Sequence, residues 1–84
     1  MDSKKTTTQT IKLTQCKRGD KVKVIKLNAP SSLKQRLISF GIMKEATIEV
    51  LEHAPAKSTV EIKVGKMSIA LRGKEADYIE VVKL

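Results

Sequence analysis

The chain reads as a mainly β domain: a small barrel of about five to six strands with one short helix and one further helical turn. Three observations predict this. First, five short runs alternate with period two, the pattern of a half-buried strand: Val22-Lys23-Val24, Ile48-Glu49-Val50, Val60-Glu61-Ile62-Lys63-Val64, Met67-Ser68-Ile69-Ala70-Leu71 and Ile79-Glu80-Val81. Second, the period switches to that of a helix at Leu33, Leu37 and Phe40, which fall at i, i+4 and i+7. Third, 84 residues support one small domain, and closing the sheet removes the exposed edges that short strands otherwise leave.

Taken from the N-terminus, residues 1–10 are polar and rich in Thr, Lys and Gln, which predicts a disordered tail and leaves 11–84 as the domain. Ile11 and Leu13 form a brief strand or lie across one mouth of the barrel. Cys16-Lys17-Arg18-Gly19-Asp20 is a turn, with Gly19 free to take positive φ and Asp20 able to bond local backbone. Lys21 to Leu27 is the first full strand. Its alternation slips after Val24, where a bulge lets Ile25 and Leu27 regain the core.

Asn28-Ala29-Pro30 breaks that strand and a helix of two to three turns follows. Ser32 and Gln35 match a capping box at its start, and Gly41 is its expected stop, since glycine takes the left-handed C′ conformation without a steric penalty. A helix this short needs tertiary packing, so it is expected to lid an open end of the barrel. Ala46 to Leu51 resumes as a strand and ends near Ala54-Pro55. Gly65-Lys66 between two alternating runs is spaced for a two-residue hairpin turn. Arg72 to Asp77 leaves room for one helical turn before Ile79 to Val82 completes the sheet. Strand edges near Ile11 to Leu13 or Val81 to Leu84 are the places where copies of the chain would pair, if they self-associate.

Composition excludes more functions than it selects. A single thiol, Cys16, cannot form an intramolecular disulfide, which fits a reducing compartment. There is no apolar run of membrane-spanning length and no signal-peptide core, so a cytosolic location is expected. His53 is the sole histidine, and no CxxC, HxxxH or HExxH spacing exists to hold a metal. Cys16 lies beside Lys17 and Arg18, which would lower its thiol pKa, but it has one conceivable base and no orienting third group in the pattern that a nucleophile needs. The glycines are isolated, with no phosphate cradle. No catalytic residue, metal or cofactor is therefore expected. The net charge of +8 favours anionic partners, and a small basic barrel that binds RNA or DNA is the alternative reading. Against it, Phe40 and Tyr78 are the only aromatic residues, too few for a stacking surface.

Two clusters remain as candidate partner-binding residues. One is the helix and its exit: Lys34, Arg36, Ile38, Gly41, Ile42, Met43 and Lys44. With Leu33, Leu37 and Phe40 inward, Ile38 and Met43 are left toward solvent in a basic rim, an apolar centre of the kind found in docking patches. Arg36 is long enough to lay its stem on the barrel and pair with a carboxylate. The other cluster is the charged corner Arg72-Gly73-Lys74-Glu75, from which Arg72 and Lys74 are candidates.

In register, these pieces resemble the FeoA-like domain of ferrous iron uptake systems, an SH3-like barrel also appended to iron-dependent repressors. The resemblance spans Ile11 to Val82. It rests on Leu13 followed by the Cys16 to Asp20 turn, Val22 and Val24; on Arg36-Leu37-Ile38-Ser39-Phe40-Gly41-Ile42; on Ala54-Pro55; and on Ile69 to Ala76. Two departures stand out. Lys44-Glu45 replaces a second glycine after the helix, so either the positive-φ turn is lost or Glu45 bears it. Ala56-Lys57-Ser58 lacks the glycine usual after Ala-Pro. The resemblance implies a non-enzymatic cytoplasmic accessory protein that docks on the cytoplasmic part of a GTPase-containing ferrous iron permease, and so sits peripherally at the inner membrane through its partner.

Overall fold

A computed structural model describes residues 10–55 and 58–84. The expected tail therefore lies outside the described residues except for Thr10, as do Ala56 and Lys57 of the departing loop. The elements run β1 (Ile11–Lys12), a single 3₁₀ turn (Leu13–Gln15), β2 (Lys21–Leu27), α1 (Ser31–Ser39), β3 (Thr47–His53), β4 (Thr59–Val64), β5 (Met67–Arg72), α2 (Gly73–Ala76) and β6 (Ile79–Lys83). The strands form one antiparallel sheet in the order β1-β6-β2-β3-β4-β5.

Alternation places Val22 and Val24 of β2, Ile48 and Val50 of β3, Val60, Ile62 and Val64 of β4, Leu71 of β5, and Ile79 and Val81 of β6 in one buried cluster. Leu13, Leu37 and Ala76 join that cluster from the 3₁₀ turn, α1 and α2. The helical pieces thus close the SH3-like barrel with side chains, while β1 and β5 remain the ends of the hydrogen-bonded sheet. Ile11 and Leu13 divide the two roles foreseen for them: Ile11 pairs with Val81, and Leu13 is fully buried. β1 reaches only Glu80 and Val81 of β6, so among the described residues Val82 and Lys83 are paired on the β2 side alone.

Both long central strands carry a bulge. The β2–β6 register shifts between Val24 and Lys26, leaving Ile25 unpaired, and the β3–β4 register shifts between Val50 and Glu52, leaving Leu51 unpaired. The first bulge sits where the alternation slips, but only Leu27 packs against the core cluster; Ile25 stays at the surface beneath α1. The second restores pairing through His53, so β3 runs two residues beyond Leu51.

The helix start differs from expectation. α1 begins at Ser31 with Pro30 as N-cap (φ −58°, ψ 156°) and no side-chain cap bond, so the Ser32–Gln35 box does not form. Proline fixes the entry two residues early, and its carbonyl accepts the first helical bond from Lys34 N–H at 2.8 Å. The reciprocal half of a box appears elsewhere: Gln15 Oε1 accepts from Lys12 N–H (2.8 Å), and Glu75 Oε1 from Arg72 N–H (3.1 Å). The helix exit is a complete Schellman motif. Gly41 N–H donates to Ile38 O and Ile42 N–H to Leu37 O, both at 2.9 Å, with Gly41 at φ +90°. Glu45 does bear the second left-handed turn, at φ 74°.

Candidate functional site

The Schellman exit is what builds the site. It turns the chain so that Ile42 packs back beside Leu37, both fully buried, and Met43 and Lys44 emerge next to the outer face of β2. Between α1 and β2 this leaves an open groove of about 660 Å³ lined by Ile25, Lys26, Leu27, Lys34, Ile38, Met43 and Lys44. Its floor is aliphatic and its rim carries three lysines with no acidic residue. Ile38 is 40% exposed and Met43 43%, an unusual pair of large apolar side chains to find adjoining in water.

Of the residues singled out in the sequence, Lys34, Ile38, Met43 and Lys44 meet in this groove. Ile42 does not; its apolar side chain is the C″ contact of the Schellman motif and belongs to the core. Gly41 serves the turn itself, and a Cβ there would meet Val64 Cγ1 at 3.4 Å. Ile25, Lys26 and Leu27 are groove residues that the sequence reading missed. The signal was present in the slipped alternation, which marks a side chain that leaves the core as readily as one that regains it.

Arg36 joins the two candidate clusters. Its Nη1 lies 3.2 Å from Glu75 Oε2 at the start of α2, and its guanidinium stands 5.7 Å above the Phe40 ring. The link ties α1 to the corner containing Lys74. There Pro30, Ser32, Leu33, Arg36, Lys74, Glu75 and Tyr78 line a second, shallower hollow. Arg72 points from the end of β5 into solvent and touches neither hollow. Phe40 is half-buried under Arg36, which removes it as a base-stacking platform.

The remaining polar chemistry is structural. Cys16 is 3% exposed and its thiol reaches the Lys12 carbonyl. Burial, then the Asp20 carboxylate, push its pKa up, with Lys83 opposing; the cations at Lys17 and Arg18 do not lower it as the sequence predicts. His53 and Cys16 do meet, but through the backbone: His53 Nε2 lies 2.6 Å from Cys16 O. A carbonyl can only accept, so Nε2 donates, and Nδ1 is buried with no hydrogen-bond partner among the described residues. Asp20 holds the Cys16–Asp20 turn by accepting from Lys17 N–H at 2.8 Å, which, with Lys83 at 3.5 Å, draws its pKa below the ordinary carboxylate value. Among the described residues no three of His, Cys, Asp or Glu converge as metal ligands. Nor is any helix among them long and apolar enough to cross a membrane.

Comparison with known proteins accords with this architecture. The FeoA domain model matches residues 11–83. The chain is 33% identical over 69 residues to a putative Fe(2+) transport protein A of Campylobacter jejuni, covering 82% of this chain and 93% of that one. The corresponding Helicobacter pylori protein is 33% identical over 54 residues, 64% of this chain and 71% of the relative. Among solved structures, a crystal structure of an iron uptake regulatory protein, FeoA, superposes with a TM-score of 0.82 at 31% identity, covering 90% of this chain and all (100%) of that one. The solution structure of FeoA from Chlorobium tepidum gives 0.83 at 31% identity, over 88% of this chain and 70% of that one. A manganese-dependent transcriptional repressor gives 0.84 at 22% identity, over 94% of this chain but 44% of its own length, which is a likeness of fold alone. By the match along nearly all of its barrel, this chain belongs to the FeoA family.

Proposed function

We propose that this protein acts in ferrous iron transport as a non-enzymatic accessory, docking through the α1–β2 groove on the cytoplasmic part of a GTPase-containing ferrous iron permease. Its site of action is then the cytoplasm, at the membrane surface where that partner sits. Iron is the cargo of the partner and is not assigned a site on this chain. Membership of the FeoA family supports the transport role. The observation that carries the docking role is the groove itself: Ile38 and Met43 exposed side by side, with Lys26, Lys34 and Lys44 around them.

Such a surface suits a partner segment that offers an apolar side chain between carboxylates. Desolvating Ile38 and Met43 supplies affinity, and the lysine rim steers the encounter and sets orientation. The Arg36–Glu75 link and the buried Leu37–Ile42 pair hold α1 in place, so the groove is formed before the partner arrives. The test is co-purification from cells, with cytosolic and membrane fractions both examined. The wild-type chain should bring the permease from the membrane fraction, and Ile38→Asp should not. Recovery of the permease undiminished by Ile38→Asp would reject the groove as the docking face.

A further inference from the structure

The far end of the sheet presents a second surface, independent of the groove and sharing no residue with it. Among the described residues β5 has a strand on one side only. Which of its backbone groups are free follows from the turn that precedes it. Gly65, at φ 60°, and Lys66 make a two-residue turn, so Val64 and Met67 exchange ladder bonds, as do Ile62 with Ile69 and Val60 with Leu71. The phase is fixed again at the other end, where Gly73 N–H donates to Ser58 O at 3.0 Å. Ser68, Ala70 and Arg72 therefore turn their N–H and C=O groups away from β4. Glu75 takes the Arg72 N–H, and among the described residues both groups of Ser68 and Ala70 are open, beside exposed side chains.

This edge lacks the usual guards. Met67 to Leu71 contains no proline and no charge, and the β4–β5 register runs from end to end without a shift, unlike the bulged β2–β6 and β3–β4 pairs. We propose that β5 is a strand-addition site for an extended segment of a partner protein that carries carboxylates at its two ends.

Charge selects that occupant over a second copy of the chain. A two-fold pairing through Ile69 sets Ser68 opposite Ala70 of the second copy, and so sets Lys66 opposite Arg72 at both ends. Like charges directly opposite destabilise a strand pair, and two chains of +8 repel at longer range. An acidic-ended strand meets Lys66 at one end and Arg72 at the other. Those residues are six positions apart, roughly 20 Å along a strand. Next to the edge, Lys63 stands beside Ser68 and Glu61 beside Ala70, so the middle of the segment is uncharged. The small side chains of Ser68 and Ala70 leave room for bulky β-branched neighbours there.

The experiment uses two blocked nine-residue peptides, each alternating Thr and Val in the middle, with Glu pairs at the ends of one and Lys pairs at the ends of the other. Each is titrated into the full ¹⁵N-labelled chain. The Glu-ended peptide should bind, shift the Ser68 and Ala70 amides, and slow their hydrogen exchange at least tenfold; the Lys-ended one should not. Ala70→Pro removes only an outward N–H, a position where edge strands tolerate proline, and should abolish binding with an unchanged melting temperature. Lys66→Glu, in the exposed turn, should weaken the Glu-ended peptide several-fold and favour its twin, whatever the fate of the proline variant. Equal binding of both peptides, amide shifts at Ile38 and Met43 instead, or dimerisation through Ser68 and Ala70 would each overturn the proposal.

Discussion

Replacing Leu37 with Ala tests the helix phase on which the groove depends. Leu37 has no exposed surface, lies one Schellman bond from Ile42, and joins the barrel core across the sheet's concave face. Its truncation removes three carbons from a close-packed site and leaves a cavity that the antiparallel sheet cannot collapse to fill. Such changes cost about 2–5 kcal/mol, and a mid-range value near 3 fits a residue with no solvent-side relief. In a domain of this size each kcal/mol moves the melting temperature by about 4–8 °C, so Leu37→Ala should lower it by about 12–24 °C. Ile38→Ala is the matched control: Ile38 is 40% exposed and Ala is the better helix former, so the net loss should stay under about 1 kcal/mol. Thermal and urea unfolding followed by circular dichroism, with unchanged m, give both numbers. A loss below about 1 kcal/mol for Leu37→Ala, or a larger loss for Ile38→Ala, would refute the assignment of inward and outward faces.

Four other expectations follow from the same geometry. Gly41→Ala should destabilise by about 1–2 kcal/mol, because a residue at φ +90° gains a Cβ, which itself meets Val64 only at contact distance; urea unfolding measures it. Glu45→Gly should instead stabilise by about 0.5–1 kcal/mol, relieving the positive φ at a turn whose backbone stays as it is, and should raise the melting temperature by a few degrees. Asp20 has a folded pKa below its unfolded value near 3.9, so it contributes stability above that value that is lost as pH falls through the folded pKa. Wild type should therefore exceed Asp20→Asn in stability at neutral pH, and the gap should close at the acid end of a pH series of unfolding curves. The Cys16 thiol, buried and with a raised pKa, should react with iodoacetamide at the unfolding rate rather than the thiol's own rate, so that moderate urea accelerates labelling.

Strand positions, the hairpin and both helical segments were legible because each has a local cause: period-two alternation, Gly65 between alternating runs, and a change of period at Leu33. The places where reading and structure diverge are those where a distant contact decides. Ile25 is apolar and next to buried Val24, and only the pairing of Val24 with Val81 and Lys26 with Glu80 shows that it is the extra residue of a bulge. Ile42 reads as part of an exposed patch from its neighbours, yet the Schellman turn folds it back onto Leu37. Pro30 overrides a good Ser32–Gln35 box by starting α1 two residues sooner. Cys16 takes its pKa from burial and from Asp20 and Lys83 rather than from the adjoining cations. The groove was half legible for the same reason: the α1 side follows from helical spacing, while Ile25, Lys26 and Leu27 enter only once β2 is placed beneath it.

The central claim is that contact through the groove, rather than chemistry, is what this chain supplies. Isothermal titration calorimetry of the permease's soluble cytoplasmic domain against wild type, Ile38→Asp and Met43→Asp measures it most directly, with melting curves confirming that each variant is folded. A charge placed at either apolar position should weaken binding at least tenfold, while Lys63→Ala, on the outer face of β4, should leave it unchanged. Affinities unaltered by both aspartate substitutions would contradict the account.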